Sequence, residues 1–186
     1  MKNLYIFLFV LTFVCFGRLI PHPPNFTPIL AIAVFLPALS KDKLIGISSL
    51  LLPMIITDYI IGFHQSMIWV YLSVVISTLI GYFFYKTNNN LIYYGSMCII
   101  SSLTFFLITN FTVWLFTTMY PKNLEGIITC YYMAIPFFHN TLLSTIIYTV
   151  IITNLFVVFT TLNLISSVPS YYQTTRYFDQ NSASEI

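Results

Sequence analysis

The sequence predicts an all-α integral membrane protein: a compact bundle of six transmembrane helices, with a short outer interfacial or re-entrant helix before the last span. Three observations predict it. Of the 186 residues, 58% are apolar and 18% aromatic, and only 6% are charged, against about 25% in a soluble domain. Mean hydropathy is +0.87, so lipid must solvate much of the surface. Apolar runs recur between short polar breaks, and at about 20 residues per crossing the length holds five or six spans with no separate soluble domain. Residues 1–165 thus read as one polytopic membrane domain, and the polar stretch 166–186 as a disordered cytoplasmic tail.

Span one covers residues 4–20. Lys2 and the apolar stretch after it have a signal peptide's outline, but no small-residue cleavage site follows and the run continues to Ile20, so the segment reads as a retained span. It ends at Pro21-His22-Pro23-Pro24, a stiff extended loop because proline locks φ and keeps the residue before it out of helical backbone. Span two, 28–40, is short, with Thr27 as its N-cap and Pro28 at its first helical position. Its Ala31, Ala33 and Ala38 permit close helix approach. Lys41-Asp42-Lys43 then breaks the chain. Span three, 44–62, contains a kink at Pro53 and carries Asp58 in its final turns.

A tight loop holding His64 leads into span four, 67–85, and Lys86 with Asn88-Asn89-Asn90 makes the next turn. Span five, 91–119, is long enough to cross with tilt and stops at Tyr120-Pro121-Lys122-Asn123. Residues 124–138 are apolar but too short to cross, with Glu125 at their start and Pro136 near their end, which suits an interfacial or re-entrant helix. Span six follows over 140–164.

The 7 Lys and Arg residues orient the chain. Six spans put Lys2, Lys41, Lys43, Lys86 and Arg176 on one side, and Arg18 and Lys122 on the other. Five against two places both termini in the cytoplasm, with the protein in the inner (cytoplasmic) membrane. Were 124–138 a full span, the C-terminus would flip and the bias would weaken.

Several function classes fall away. A net charge of +2 with no basic cluster carries no nucleic-acid signal. Cys15, Cys98 and Cys130 are isolated, and without a C-x-x-C spacing they indicate neither a disulfide framework nor a zinc site. There is no nucleophile elbow, no H-E-x-x-H and no Gly-rich phosphate loop, so the chain reads as a non-enzyme with no cofactor, and any use of ATP would come from a partner chain.

The remaining polar residues collect toward the outer face. Asp58 is the strongest signal, because a carboxylate within a span costs about 2.5–3.5 kcal/mol on insertion scales. It either pairs with Arg18 structurally or lines a solute pocket with it, and both readings stay open. Asn110 and Trp114, four apart on one helix face, serve as helix glue and interfacial anchor or as the stacking wall for a ring-shaped ligand. His22, His64 and His139 are isolated at loops and helix ends, with no spacing that would make a metal site. His139-Asn140-Thr141 opens span six, where free N–H groups either are capped or bind an anionic or carbonyl group. Glu125 caps the short helix before it. Arg18, His22, Asn25, Asp58, Asn110, Trp114, His139 and Asn140 form the candidate solute site.

The stretches Arg18-Leu-Ile-Pro-His-Pro-Pro-Asn-Phe-Thr-Pro28, Asn110-Phe-Thr-Val-Trp114 and Cys130-Tyr-Tyr-Met-Ala-Ile-Pro-Phe-Phe-His-Asn-Thr141 resemble a family of uncharacterised transport-type membrane proteins. That family is similar to the S components of energy-coupling-factor vitamin transporters. The resemblance implies a compact six-helix protein with an outward-facing pocket for a vitamin-like or heterocyclic micronutrient. It also implies coupling to a transmembrane partner and two ATPases, although the AxxxA docking motif typical of the first helix is missing here. The expected function is solute capture for uptake, with metal-ion uptake a minor variant. The alternative is a non-transporting scaffold or complex-assembly protein, which would have no solute-sized cavity between the outer halves of spans one, three, five and six.

Overall fold

The apolar runs become helices. A computed structural model describes residues 2–85 and 91–161, and among these residues there are six helices and no strand. They are α1 (Lys2–Leu19), α2 (Ile29–Leu39), α3 (Lys43–Ile61), α4 (Met67–Phe84), α5 (Leu91–Phe116) and α6 (Leu124–Thr161). Four of them, α3 to α6, are long and apolar enough to cross a membrane. The Lys86 to Asn90 turn, the end of span six and the 166–186 tail lie outside the described residues.

The bundle is organised around α2. Ten of its residues are buried, and Val10, Val14, Leu50, Met54, Val74, Met97, Ile152 and Phe156 from the other five helices close around it. Phe35 sits between the rings of Tyr94 (5.8 Å) and Phe156 (5.2 Å). Lipid tails are as apolar as leucine, so such a helix is held by close packing rather than by escape from water. The expected use of small residues holds on this helix. A Cβ added at Gly81 of α4 would lie 3.4 Å from the Ala33 carbonyl, and Ala31 and Ala33 are fully buried.

With 11 residues, α2 rises only about 16 Å, roughly half a bilayer core. It is a buried central helix rather than a span comparable with its neighbours. Its start also differs from expectation: Pro28 occupies the N-cap without a side-chain cap bond, and Thr27 does not cap. The break before α3 is a true cap, where the Asp42 carboxylate accepts from Leu44 N (2.9 Å) and Ile45 N (3.2 Å). Gly62 ends α3 at φ +111, a backbone region that suits glycine because it has no Cβ.

The outward faces of α3 and α4 carry Leu52, Ile55, Ile56, Ile60, Ile68 and Phe83, all exposed. Apolar area this extensive suits contact with lipid.

The last element corrects the sequence reading most. Residues 124–138 and span six are one helix of 38 residues, with Pro136 inside it. Pro136 removes only the bond its missing N–H would make one turn back. Both halves are held against α5. Tyr131 Oη donates to Leu107 O (2.8 Å) and Cys130 Sγ to Asn110 O (3.4 Å) on one side of the proline. Ser102 Oγ donates to Thr145 Oγ1 (3.3 Å) and Cys98 Sγ to Thr149 Oγ1 (3.3 Å) on the other. The separate re-entrant helix is therefore replaced by one long helix antiparallel to α5.

Candidate functional site

Arg18 and Asp58 come together at the C-terminal ends of α1 and α3. The Arg18 guanidinium donates from Nη2 to Asp58 Oδ1 and forms an ion pair. Its Nη1 donates to Thr57 Oγ1 (2.8 Å) and to the Met54 carbonyl (3.2 Å). The second carboxylate oxygen of Asp58 accepts from Tyr71 Oη on α4. Asp58 is 1% exposed. A charge buried this deeply persists only when paired and hydrogen-bonded, and here every partner comes from the protein. The pairing of Arg18 with Asp58 is present, and neither residue is among those that line the neighbouring cavity.

The cavity lies beside this cluster. It measures about 170 Å³ and opens on one side. From α5 it takes Phe105, Phe106, Thr109, Asn110 and Val113, and from α6 Phe137, Phe138 and Thr141. Ser66 and Val70 at the start of α4 complete the wall, and Asn25 reaches in from the Pro-rich loop. Val70 of α4 lines the cavity while the next residue, Tyr71, holds Asp58.

The Pro-rich segment works as a strap across α6. Asn140 Nδ2 donates to the Pro24 carbonyl (3.0 Å), and Ser144 Oγ reaches the Asn25 carbonyl at 3.5 Å. The Phe26 and Tyr148 rings lie 6.0 Å apart. Asn25 adopts φ +62, a left-handed conformation that asparagine tolerates better than most residues. Phe26 N then bonds back to Pro23 O (3.0 Å).

Of the eight candidate residues, Asn25 and Asn110 line the cavity, and Asn140 holds the strap. Trp114 does not line it. Its four-residue spacing from Asn110 is real, but the indole N–H needs an acceptor when half-buried and finds the Pro121 carbonyl at 2.9 Å. Lys122 Nζ sits 5.8 Å over the same ring and donates to the Trp114 and Thr117 carbonyls. Trp114 thus secures the α5–α6 turn.

His22 and His139 are exposed, with His22 Nδ1 2.8 Å from the Pro23 carbonyl, and neither lines the cavity; nor does the exposed His64. His139-Asn140-Thr141 falls in the middle of α6, so its backbone N–H groups belong to the helix and offer nothing to an anion. At the true start of α6 the Asn123 carboxamide accepts from Gly126 N (2.8 Å), and Glu125 is exposed. Among the described residues, no three His, Cys, Asp or Glu side chains gather as a metal site would require.

The sequence reading missed the aromatic walls, since Phe105-Phe106 and Phe137-Phe138 look like any lipid-facing residues until α5 and α6 are paired. The one available signal was the phenylalanine pair that precedes each polar group, Thr109-Asn110 and Thr141.

These features define a class: an all-helical protein with four helices of membrane-crossing length and composition, and a mixed aromatic and polar cavity at one end. Residues 1–168 match the family of unknown function DUF6580, and the chain belongs to that family. No curated protein and no solved structure matches it.

Proposed function

We propose that the protein is a membrane transport subunit that binds a small solute in the Asn25–Asn110 cavity for uptake. The observation carrying this is the cavity itself: four phenylalanines and neutral hydrogen-bonding groups converge from three helices and the strap. Concave, largely apolar sites with a few oriented polar groups are the usual form of small-molecule sites. The lysine distribution supports an inner-membrane protein with both termini cytoplasmic and the cavity facing outward, the second passage being made by the Pro-rich strap together with the short α2. Movement of the strap would admit and enclose the solute. Reorientation would draw energy from a partner module, in the manner of the S components that the sequence motifs resemble. The cavity supports this reading over a scaffold role, although it is bounded by the strap, α4, α5 and α6 rather than by the expected spans one, three, five and six.

The test compares wild-type protein with Val113→Trp, which fills the cavity from a position outside the ion-pair cluster. Both are purified from the native membrane, and the small molecules released by heating are identified by mass spectrometry. A low-mass compound at near-stoichiometric amount in the wild type and absent from the variant is expected. Identical small-molecule profiles from the two proteins overturn the reading.

A further inference from the structure

We propose that the solute is neutral, contains a single planar ring and carries N–H or O–H donors. This rests on the cavity being a binding site and deepens that reading by naming the chemistry it accepts.

Size sets the first limit. About 170 Å³ is close to the roughly 150 Å³ that holds one benzene ring, and equals about six water volumes. One ring with small substituents fills the enclosed part, and a fused ring system or a nucleoside would have to project through the open side.

Charge sets the second. Among the described residues no charged side chain lines the cavity, and the Arg18 and Asp58 charges beside it are spent on each other. An ionic solute would be desolvated there without a counter-charge, which is strongly unfavourable.

Hydrogen-bond polarity sets the third. Thr109 Oγ1 donates its only proton to Phe105 O (2.8 Å), and Thr141 Oγ1 donates to Phe137 O (2.8 Å). Both hydroxyls are left with lone pairs only. Asn110 Nδ2 donates to Phe106 O (2.8 Å). A carbonyl can only accept, so this bond fixes the amide orientation and leaves Oδ1 as a further acceptor and the second Nδ2 proton as a donor. Three acceptors on the facing helices α5 and α6, with the second Asn110 N–H as a donor beside them, call for a ring that packs on phenylalanine and both donates and accepts at its edge.

The two tryptophans of the chain provide a native reporter. Trp69 precedes cavity-lining Val70 and stacks on Phe116 at 5.0 Å, and Trp114 follows cavity-lining Val113. Full-length protein in lipid nanodiscs is titrated with benzamide, N,N-dimethylbenzamide, benzoate and adenosine, following tryptophan emission and thermal unfolding, for wild type and Val113→Trp. Thermal unfolding is the primary measure for the variant, since it adds a tryptophan. Benzamide is expected to bind at least tenfold more tightly than each of the other three, and to lose that binding in the variant. If benzoate, adenosine or the donor-free amide binds as well as benzamide and is lost in the variant, the cavity is a binding site but the proposed class is wrong. If no probe shows binding that depends on Val113, this inference is overturned, while the comparison of co-purifying small molecules decides the proposed function separately.

Discussion

Arg18 of α1 and Asp58 of α3 lie 40 residues apart in sequence and form a buried ion pair, with Tyr71 of α4 closing the remaining carboxylate oxygen. Three helices are joined by one carboxylate, next to the wall of the cavity. Asp58→Ala leaves the Arg18 guanidinium without its counter-charge and is expected to lower stability by about 3–5 kcal/mol. Replacing both, as Arg18→Met with Asp58→Leu, recovers most of that loss, while Tyr71→Phe costs about 1–3 kcal/mol by orphaning one acceptor. Thermal unfolding in nanodiscs measures all three. A single Asp58→Ala protein as stable as wild type would show that the pair contributes nothing.

The strap yields a prediction that separates folding from binding. Asn25 is left-handed at φ +62, so Asn25→Gly retains the loop while Asn25→Val strains it by about 1–2 kcal/mol. Both remove the side-chain amide of this cavity-lining residue. Solute binding therefore weakens in each, but only the valine variant unfolds at a lower temperature. Equal unfolding temperatures would mean that the strap conformation is unimportant to the fold.

Gly126, in the first turn of α6, leaves no room for a side chain. A Cβ there would lie 1.9 Å from the Pro121 carbonyl oxygen, the same oxygen that accepts from Trp114 Nε1. Backbone cannot yield as a flexible side chain can, so Gly126→Ala is expected to cost about 1–3 kcal/mol. It should also shift tryptophan emission as the indole loses its acceptor. An unchanged emission spectrum would contradict this account of the turn.

Pro136 sits inside a continuous α6. Restoring the N–H with Pro136→Ala is expected to leave stability unchanged or raise it, by up to about 3 kcal/mol. Were residues 124–138 a separate re-entrant element that needs a break, the same substitution would destabilise the protein. The sign of the change in unfolding temperature distinguishes the two.

The helices were legible because their signal is local. Apolar runs, the Lys41-Asp42-Lys43 break and the Pro-rich break mark most ends to within a few residues of those observed. Asp58 and Arg18 were legible as partners because an intramembrane carboxylate has so few cations to choose from. The continuity of α6 was not. A proline predicts a break from its own geometry, whereas the bonds that hold both halves to α5 come from residues 20 to 51 positions away.

The fate of the candidate site follows the same division. Composition and spacing by themselves determined the all-helical architecture, the polar end of the bundle, and Asn25 and Asn110 as residues of interest. Only the tertiary structure decided that Arg18 and Asp58 neutralise each other, that Trp114 turns to the Pro121 carbonyl, and that Phe106 of α5 meets Phe138 of α6 at the cavity. The physical reason is that a polar residue in an apolar run reveals the expense of its burial, whatever surrounds it. Which group meets that expense, and which apolar side chain faces a cavity rather than lipid, depends on contacts that exist only after the helices have packed.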